Sequence, residues 1–231
     1  MSGPVALVGS GEYLPVMTEV EGLLLRGRPP RFVQIPTAAA PEGQSSLDRW
    51  VTLGRDQAAR LDVAAVPVMV RDRAEADNEE LAALVNGAGL VYLSGGNPPY
   101  LASTLRGTKV WQAVREAWEG GAALAGCSAG AMALTSWVPD LRHPTRDADP
   151  GLGVVPQLRV IPHFDRFAGW MPDLVSRYVL RPPDGVTVLG IDEDTALIGD
   201  EGTWRVHGRQ QVWVLGRDGR TPYTAGEVVP I

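Results

Sequence analysis

The chain has 231 residues, of which 45% are hydrophobic and 21% charged, which suits one soluble globular domain spanning residues 1–231 with a full core. A formal net charge of −6 with no basic stripe excludes nucleic acid as the main ligand, and a single cysteine, Cys127, excludes an internal disulfide and zinc-type Cys/His spacing. No basic segment followed by an apolar run opens the chain, and the uncharged span 120–139 carries too much Gly, Ser, Thr and Pro for a membrane helix, so a cytoplasmic protein with no membrane partner is expected.

In chain order, residues 5–8 read as a buried strand that runs into the loop Gly9-Ser10-Gly11. That loop fails the dinucleotide fingerprint at Leu14 and no Walker pattern follows, so no cofactor is expected. A helix is predicted at 16–25, a strand at 31–35 closed by Pro36, and a helix at 45–61 with Leu47, Trp50, Val51, Leu53 and Leu61 inward. A strand at 63–70 and a helix at 77–86, acidic in its first turn and ended by Gly87, come next. The strand at 89–93 leads into Ser94-Gly95-Gly96-Asn97-Pro98-Pro99, and a helix covers 108–119. Residues 122–125 then deliver Gly126-Cys127-Ser128-Ala129-Gly130, with helix formers from 129 to 134.

Strands alternating with helices predict an α/β three-layer sandwich, a mostly parallel central sheet with helices on both faces. After Trp137 the pattern changes. Residues 139–156 read as polar loop, 158–162 as a strand, 173–180 as a helix, 186–191 as a strand and 196–198 as a short one. Residues 204–206 and 211–215 alternate around His207-Gly208-Arg209 and read as a terminal β-hairpin.

Strand, tight turn and helix with Ser128 at the apex is the sequence form of a nucleophile elbow, whose flanking positions must be small because entering strand and leaving helix nearly touch. A serine hydroxyl needs a base within hydrogen-bond reach. Of the three histidines, His143 sits in a polar loop and His207 at the predicted hairpin tip, whereas His163 ends a strand, where open α/β sheets gather their sites. The base needs an acid to hold its tautomer, and Asp192, Glu193 and Asp194 follow a strand end. Backbone N–H groups of Ala129 and of Gly96 or Gly95 are the candidate oxyanion donors. Cys127, one residue before the apex, is expected to turn into the core as an inert thiol.

Gly95-Gly-Asn97, Gly126-Cys-Ser-Ala-Gly-Ala131, Gly151-Leu-Gly-Val-Val-Pro156 with His163-Phe164, and Gly190-Ile-Asp-Glu-Asp-Thr-Ala-Leu197 occur in the order seen in the peptidase E and cyanophycinase family of serine peptidases, which this sequence resembles. The resemblance implies a flavodoxin-like, class I glutamine amidotransferase-like fold and a serine exopeptidase cleaving dipeptides or short peptides. It implies Ser128 as nucleophile, His163 as base, Glu193 as third member, with Asp192 or Asp140 as alternatives, and the Gly96 and Ala129 N–H groups as oxyanion hole. Asn97 and Arg166 are the expected substrate-binding residues. A small peptide is the expected partner, together with a second copy of the chain in a homodimer. Members acting on Asp-X dipeptides use an arginine after the histidine segment, and neither Arg166 nor Arg177 stands in a close counterpart of that motif. Phe167-Ala-Gly-Trp170 interrupts the further arginines of cyanophycinases. Two other readings are an esterase with triad order Ser, acid, His, which would recruit His207, and a silent binding module on the same scaffold.

Overall fold

A computed structural model describes residues 1–139, 147–167, 182–216 and 219–231. The expected helix at 173–180, and with it Asp140, His143, Trp170 and Arg177, lies outside the described residues.

The apolar runs of the first half become β1 (Val5–Val8), β2 (Arg31–Ile35), β3 (Ala64–Pro67), β4 (Leu90–Leu93) and β5 (Ala123–Cys127), all parallel and ordered β1-β5-β4-β2-β3. Between them run α1 (Thr18–Leu25), α2 (Gln44–Arg60), α3 (Arg73–Ala76), α4 (Glu79–Ala83), α5 (Pro98–Leu105) and α6 (Lys109–Glu119), with α7 (Ala129–Ala133) leaving β5. Both faces of the sheet are covered, as continuous apolar strands require: Ala6 and Val8 join the core beneath α1 and α2, while Val5 and Leu7 join the one beneath α5, α6 and α7. This is the predicted three-layer, flavodoxin-like arrangement.

Helix boundaries follow their caps. Asn78, Asn97 and Thr108 each accept an N–H from the first turn of α4, α5 and α6. The helix expected at 77–86 is shorter, because Asp77 ends α3 and Asn78 starts α4 anew. Pro98 and Pro99 open α5, a helix beyond those expected; proline in a first turn removes only N–H groups that have no intrahelical acceptor.

The second half continues with β6 (Trp137–Val138), β7 (Asp149–Pro150), β8 (Leu158–Ile161), α8 (Phe164–Phe167), β9 (Thr187–Ile191), β10 (Thr195–Asp200), β11 (Thr203–Gly208), β12 (Val212–Gly216), β13 (Gly219–Tyr223) and β14 (Val228–Val229). Antiparallel β10, β11 and β14 extend the central sheet beyond β1 to eight strands. Strands β8 and β9 do not join that sheet. They pair in parallel within a separate four-stranded sheet, β13-β12-β9-β8, whose Val160, Leu189, Ile191 and Val212 pack into the core beneath α5–α7.

The expected hairpin around His207 is corrected by this division. β11 and β12 lie in different sheets; β11 pairs with β10 across Glu201 and Gly202, and β12 with β13. Glu201 and Gly202 both take positive φ, 47° and 80°, the handedness that suits a two-residue hairpin loop. His207 therefore stands inside β11, opposite Ala196 and half-buried, and burial pulls its pKa down, helped by Arg205.

The Gly151–Pro156 motif has a structural task. The N–H groups of Leu152, Gly153 and Val154 donate to the carbonyls of Ala133, Thr135 and Leu134, at 2.7, 2.9 and 2.9 Å, and so satisfy the C-terminal end of α7.

Candidate active site

Ser128 joins β5 to α7 with φ 50° and ψ −107°, a backbone conformation that costs an L-residue about 1–3 kcal/mol. It persists because both sides hold it. The Ser128 N–H donates to Val8 O at 2.9 Å, prolonging the β1–β5 ladder, and its own carbonyl accepts from Met132 N–H at 3.1 Å as α7 begins. The small flanking residues have a direct cause: a Cβ on Gly126 would lie 2.5 Å from the Gly130 carbonyl, and one on Gly130 would lie 2.3 Å from Leu93 O.

The second sheet supplies the other two polar groups. His163 follows β8 with φ 50°, and its carbonyl accepts from Arg166 N–H at 3.0 Å in the turn of α8. Phe164 is buried with its ring against Gly190 and Trp213, which fixes the direction in which the preceding imidazole leaves the sheet. His163 Nε2 lies 3.1 Å from Ser128 Oγ, and Nδ1 lies 2.9 Å from Glu193 Oε1. With the proton on Nδ1, the imidazole donates to Glu193 and accepts from the serine. Side-chain exposures of 33% for His163 and 27% for Glu193 leave the pair accessible from solvent.

Glu193 is itself positioned. Its N–H donates to Asp165 Oδ1 at 2.9 Å, and its carbonyl accepts from Gln210 Nε2 and Thr195 Oγ1, each at 3.0 Å. Arg166 Nε donates to Glu193 Oε2 at 3.2 Å, with 75% of the arginine side chain exposed. The arginine expected to meet substrate thus leans on the acid. Asp192 faces the other way: it is 4% exposed, and its carboxylate accepts from Trp213 Nε1 at 3.1 Å and Gln211 N–H at 3.2 Å, with burial raising its pKa. The structure therefore brings Glu193, not Asp192, to the imidazole, and His163, not His207, to the serine.

Beside Ser128 lies the glycine loop, where a Cβ on Gly95 would stand 3.5 Å from Ser128 Cβ. Gly96 takes φ 140° and presses against Ala38, where a Cβ would come within 2.4 Å of the carbonyl oxygen, so only glycine fits. Of the two candidate oxyanion glycines, Gly95 has its N–H taken by Glu12 Oε1 at 2.8 Å. Among the described residues no acceptor meets the N–H of Gly96 or of Ala129. Asn97 spends its Oδ1 on capping α5, accepting from Tyr100 N–H at 3.0 Å, which leaves its amide nitrogen for any other contact.

Cys127 is fully buried and its S–H donates to Glu12 Oε2 at 2.7 Å. Burial, and then the Glu12 carboxylate, push the thiol pKa well up, so it stays protonated and faces away from the elbow's open side. Glu12, Asp165 and Gln210 were missed in the sequence; the one available signal was an acid directly after the Gly9-Ser10-Gly11 loop at a strand end. Among the described residues no three His, Cys, Asp or Glu side chains gather as a metal site would need, and no helix is long and apolar enough to cross a membrane.

Known proteins share this architecture. The chain is 42% identical to a peptidase from an acI-B1 actinobacterium and superposes on its crystal structure with a TM-score of 0.91, over 100% of this chain and 98% of that one. A peptidase E-like protein from Listeria monocytogenes, at 17% identity and a TM-score of 0.65 over 91% of this chain and 100% of that one, shares the fold. The cyanophycinase of Synechococcus elongatus is 34% identical over 157 residues, 64% of this chain and 48% of that protein. That of Trichormus variabilis is 30% identical over 155 residues, 63% of this chain and 51% of that protein. The chain spans about half the length of the curated relatives it matches. Residues 5–207 match Peptidase family S51, a stretch that runs from β1 through the elbow to the end of the Glu193 segment and into β11, and the chain belongs to that family.

Proposed function

We propose that this chain is a serine exopeptidase that hydrolyses dipeptides or short peptides through an acyl-enzyme on Ser128. The observation that carries the reading is the continuous relay from Ser128 Oγ through His163 to Glu193, at 3.1 and 2.9 Å, on an elbow whose backbone is held in a strained conformation.

In the first half-reaction Ser128 Oγ attacks the scissile carbonyl carbon as its proton passes to His163 Nε2. The carbonyl oxygen gains negative charge and is received by the free N–H groups of Gly96 and Ala129. Collapse breaks the C–N bond, and His163 returns the proton to the departing amine. Water then enters, gives a proton to His163 and hydrolyses the ester, which restores the serine hydroxyl. Throughout, Glu193 keeps Nδ1 protonated and stabilises the imidazolium, while Arg166 and Asp165 keep Glu193 in place. The outer nitrogens of the exposed Arg166 guanidinium and the Asn97 amide nitrogen are the polar groups assigned to substrate.

The test is a dipeptide and tripeptide library assayed with the parent protein, Ser128→Ala and His163→Ala, beside labelling with a fluorophosphonate. Each variant should fold, lose nearly all hydrolysis and, for Ser128→Ala, lose the label. Full activity in either variant refutes the assignment, and a parent protein that is neither labelled at Ser128 nor active on any peptide points to a binding module instead.

A further inference from the structure

We propose that Glu12 is a positioning residue for the oxyanion hole: its carboxylate, anchored beneath the elbow, fixes the Ser94–Gly95 peptide and so the start of the following Gly95–Gly96 peptide, whose Gly96 N–H faces the oxygen of the bound acyl group. This deepens the serine-peptidase reading and rests on it.

Two adjacent glycines make the most rotationally free peptide a chain can have, and free rotation is what a preorganised donor cannot tolerate. The loop is tied at its ends by backbone bonds, Ser94 N–H to Ile35 O at 3.3 Å and Asn97 N–H to Ala38 O at 2.8 Å. Between those ends the hydrogen bond at Gly95 is the one to Glu12 Oε1, at 2.8 Å. Glu12 is 5% exposed, and a polar group buried this deeply is kept where its hydrogen bonds satisfy it. Its location is informative: a Cβ built on Gly95 would be 2.9 Å from Glu12 Oε1 and 3.9 Å from Ser128 Oγ, so the glycine stands between the carboxylate and the nucleophile.

The carboxylate is held by the elbow, and the backbone next to it by two further bonds. Oε2 accepts from the Cys127 thiol at the foot of the elbow, at 2.7 Å. The next residue, Tyr13, takes φ 64° and is fully buried, with its N–H donating to Glu21 Oε1 at 3.1 Å. Its hydroxyl hydrogen-bonds Ser94 Oγ at 2.9 Å, one residue before Gly95. Loop 9–14 and the glycine loop are thus stitched twice, and the elbow is bound to the same carboxylate. One side chain therefore sets the distance between the two halves of the oxyanion hole, Gly96 on one loop and Ala129 on the elbow.

The experiment follows phosphonylation of Ser128 by a fluorophosphonate, in which the Oγ–P bond forms as P–F breaks, fluoride leaves and the hydroxyl proton passes to His163. The phosphonyl oxygen occupies the oxyanion position, so kinact reads the hole and KI reads ground-state binding. Glu12→Asp keeps the charge but is one methylene short of Gly95; Glu12→Gln keeps the reach and still accepts the Gly95 N–H; Glu12→Ala removes both. The expected result is a kinact lower by about 10- to 100-fold in Glu12→Asp and Glu12→Ala with KI within about twofold, and Glu12→Gln within about threefold of the parent. Melting temperatures are read alongside, and if Glu12→Ala does not fold, the Asp and Gln pair carries the comparison. Parental kinact in Glu12→Asp overturns the inference, as does a Glu12→Gln that falls as far as Glu12→Asp, or a kinact that tracks melting temperature across the set. A parent protein left unlabelled at Ser128 overturns the serine-peptidase reading itself, and the two failures are thereby distinguished.

Discussion

Replacing Glu193 by glutamine should harm the enzyme more than replacing it by alanine. In the parent, Glu193 Oε1 accepts from His163 Nδ1–H at 2.9 Å, and Oε2 accepts from Arg166 Nε–H at 3.2 Å. A glutamine has one acceptor and one donor end. The arginine can only donate, so it claims the amide oxygen, and the NH2 is turned toward His163 Nδ1. The imidazole must then accept at Nδ1 and carry its proton on Nε2, which points a donor at Ser128 Oγ and leaves the hydroxyl without a base. In a fully buried relay this tautomer error costs about 10⁴ in kcat. Here the histidine and glutamate side chains are 33% and 27% exposed, and water can partly rescue the correct tautomer, so a loss of about 10³, roughly 4 kcal/mol of barrier, is expected. Glu193→Ala admits water at Nδ1, which can accept its proton, and should lose less than Glu193→Gln. Adding Arg166→Met to Glu193→Gln frees the amide to turn over and should recover part of the loss. The assay is steady-state hydrolysis of the best library peptide, checked by the rate of Ser128 labelling. A Glu193→Gln enzyme that keeps more than about a tenth of parental kcat, or that outperforms Glu193→Ala, refutes the reasoning.

Cys127→Ala should leave kcat within about threefold of the parent, and iodoacetamide should not modify the native protein, because the thiol is buried and its pKa pushed up; rapid alkylation with loss of activity would refute the inert thiol. Glu21 is fully buried and its pKa is raised to about 8, chiefly by burial, against an unfolded value near 4.5. The folded state holds this proton where the unfolded state releases it, so its contribution is whole below pH 4.5 and is lost as pH rises to about 8, at up to about 1.4 kcal/mol per pH unit. Urea midpoints of the parent should fall across that window and those of Glu21→Gln should fall less; equal slopes would show that Glu21 is not the group responsible. Gly126→Ala drives a methyl to 2.5 Å from the Gly130 carbonyl and should cost about 3 kcal/mol or more of stability, read from the shift in urea midpoint, with Ser128 labelling lost as the elbow yields.

The elbow could be read directly from residue types. Small residues at 126 and 130 around a serine, between an apolar strand and helix formers, have few other physical explanations when helix and strand approach this closely. The parallel half of the sheet was legible for a similar reason, since each apolar run ends in a glycine, proline or capping residue. The second half was not. Residues 158–161 and 187–191 look like any buried strand, and nothing in them says that the place beside β1 is taken by β10. The hairpin expected around His207 failed on the same ground: alternation in β11 and β12 is real, but each strand finds its partner on its other side. Asp192 and Glu193 are neighbours with equivalent chemistry on paper, and the turn between β9 and β10 sends one toward Trp213 and the other toward His163.

What the sequence determined by itself was local: where strands stop, which turn must be made of small residues, and which hydroxyl that turn presents, because these follow from sterics between residues close in the chain. What only the tertiary structure decided was which distant groups meet that hydroxyl. His163 and Glu193 arrive from a sheet separate from the one bearing Ser128, and Glu12 and Gly95 meet although they are 83 residues apart. Such meetings are set by how two sheets share one core, a balance of burial over many side chains that no single stretch of the chain encodes.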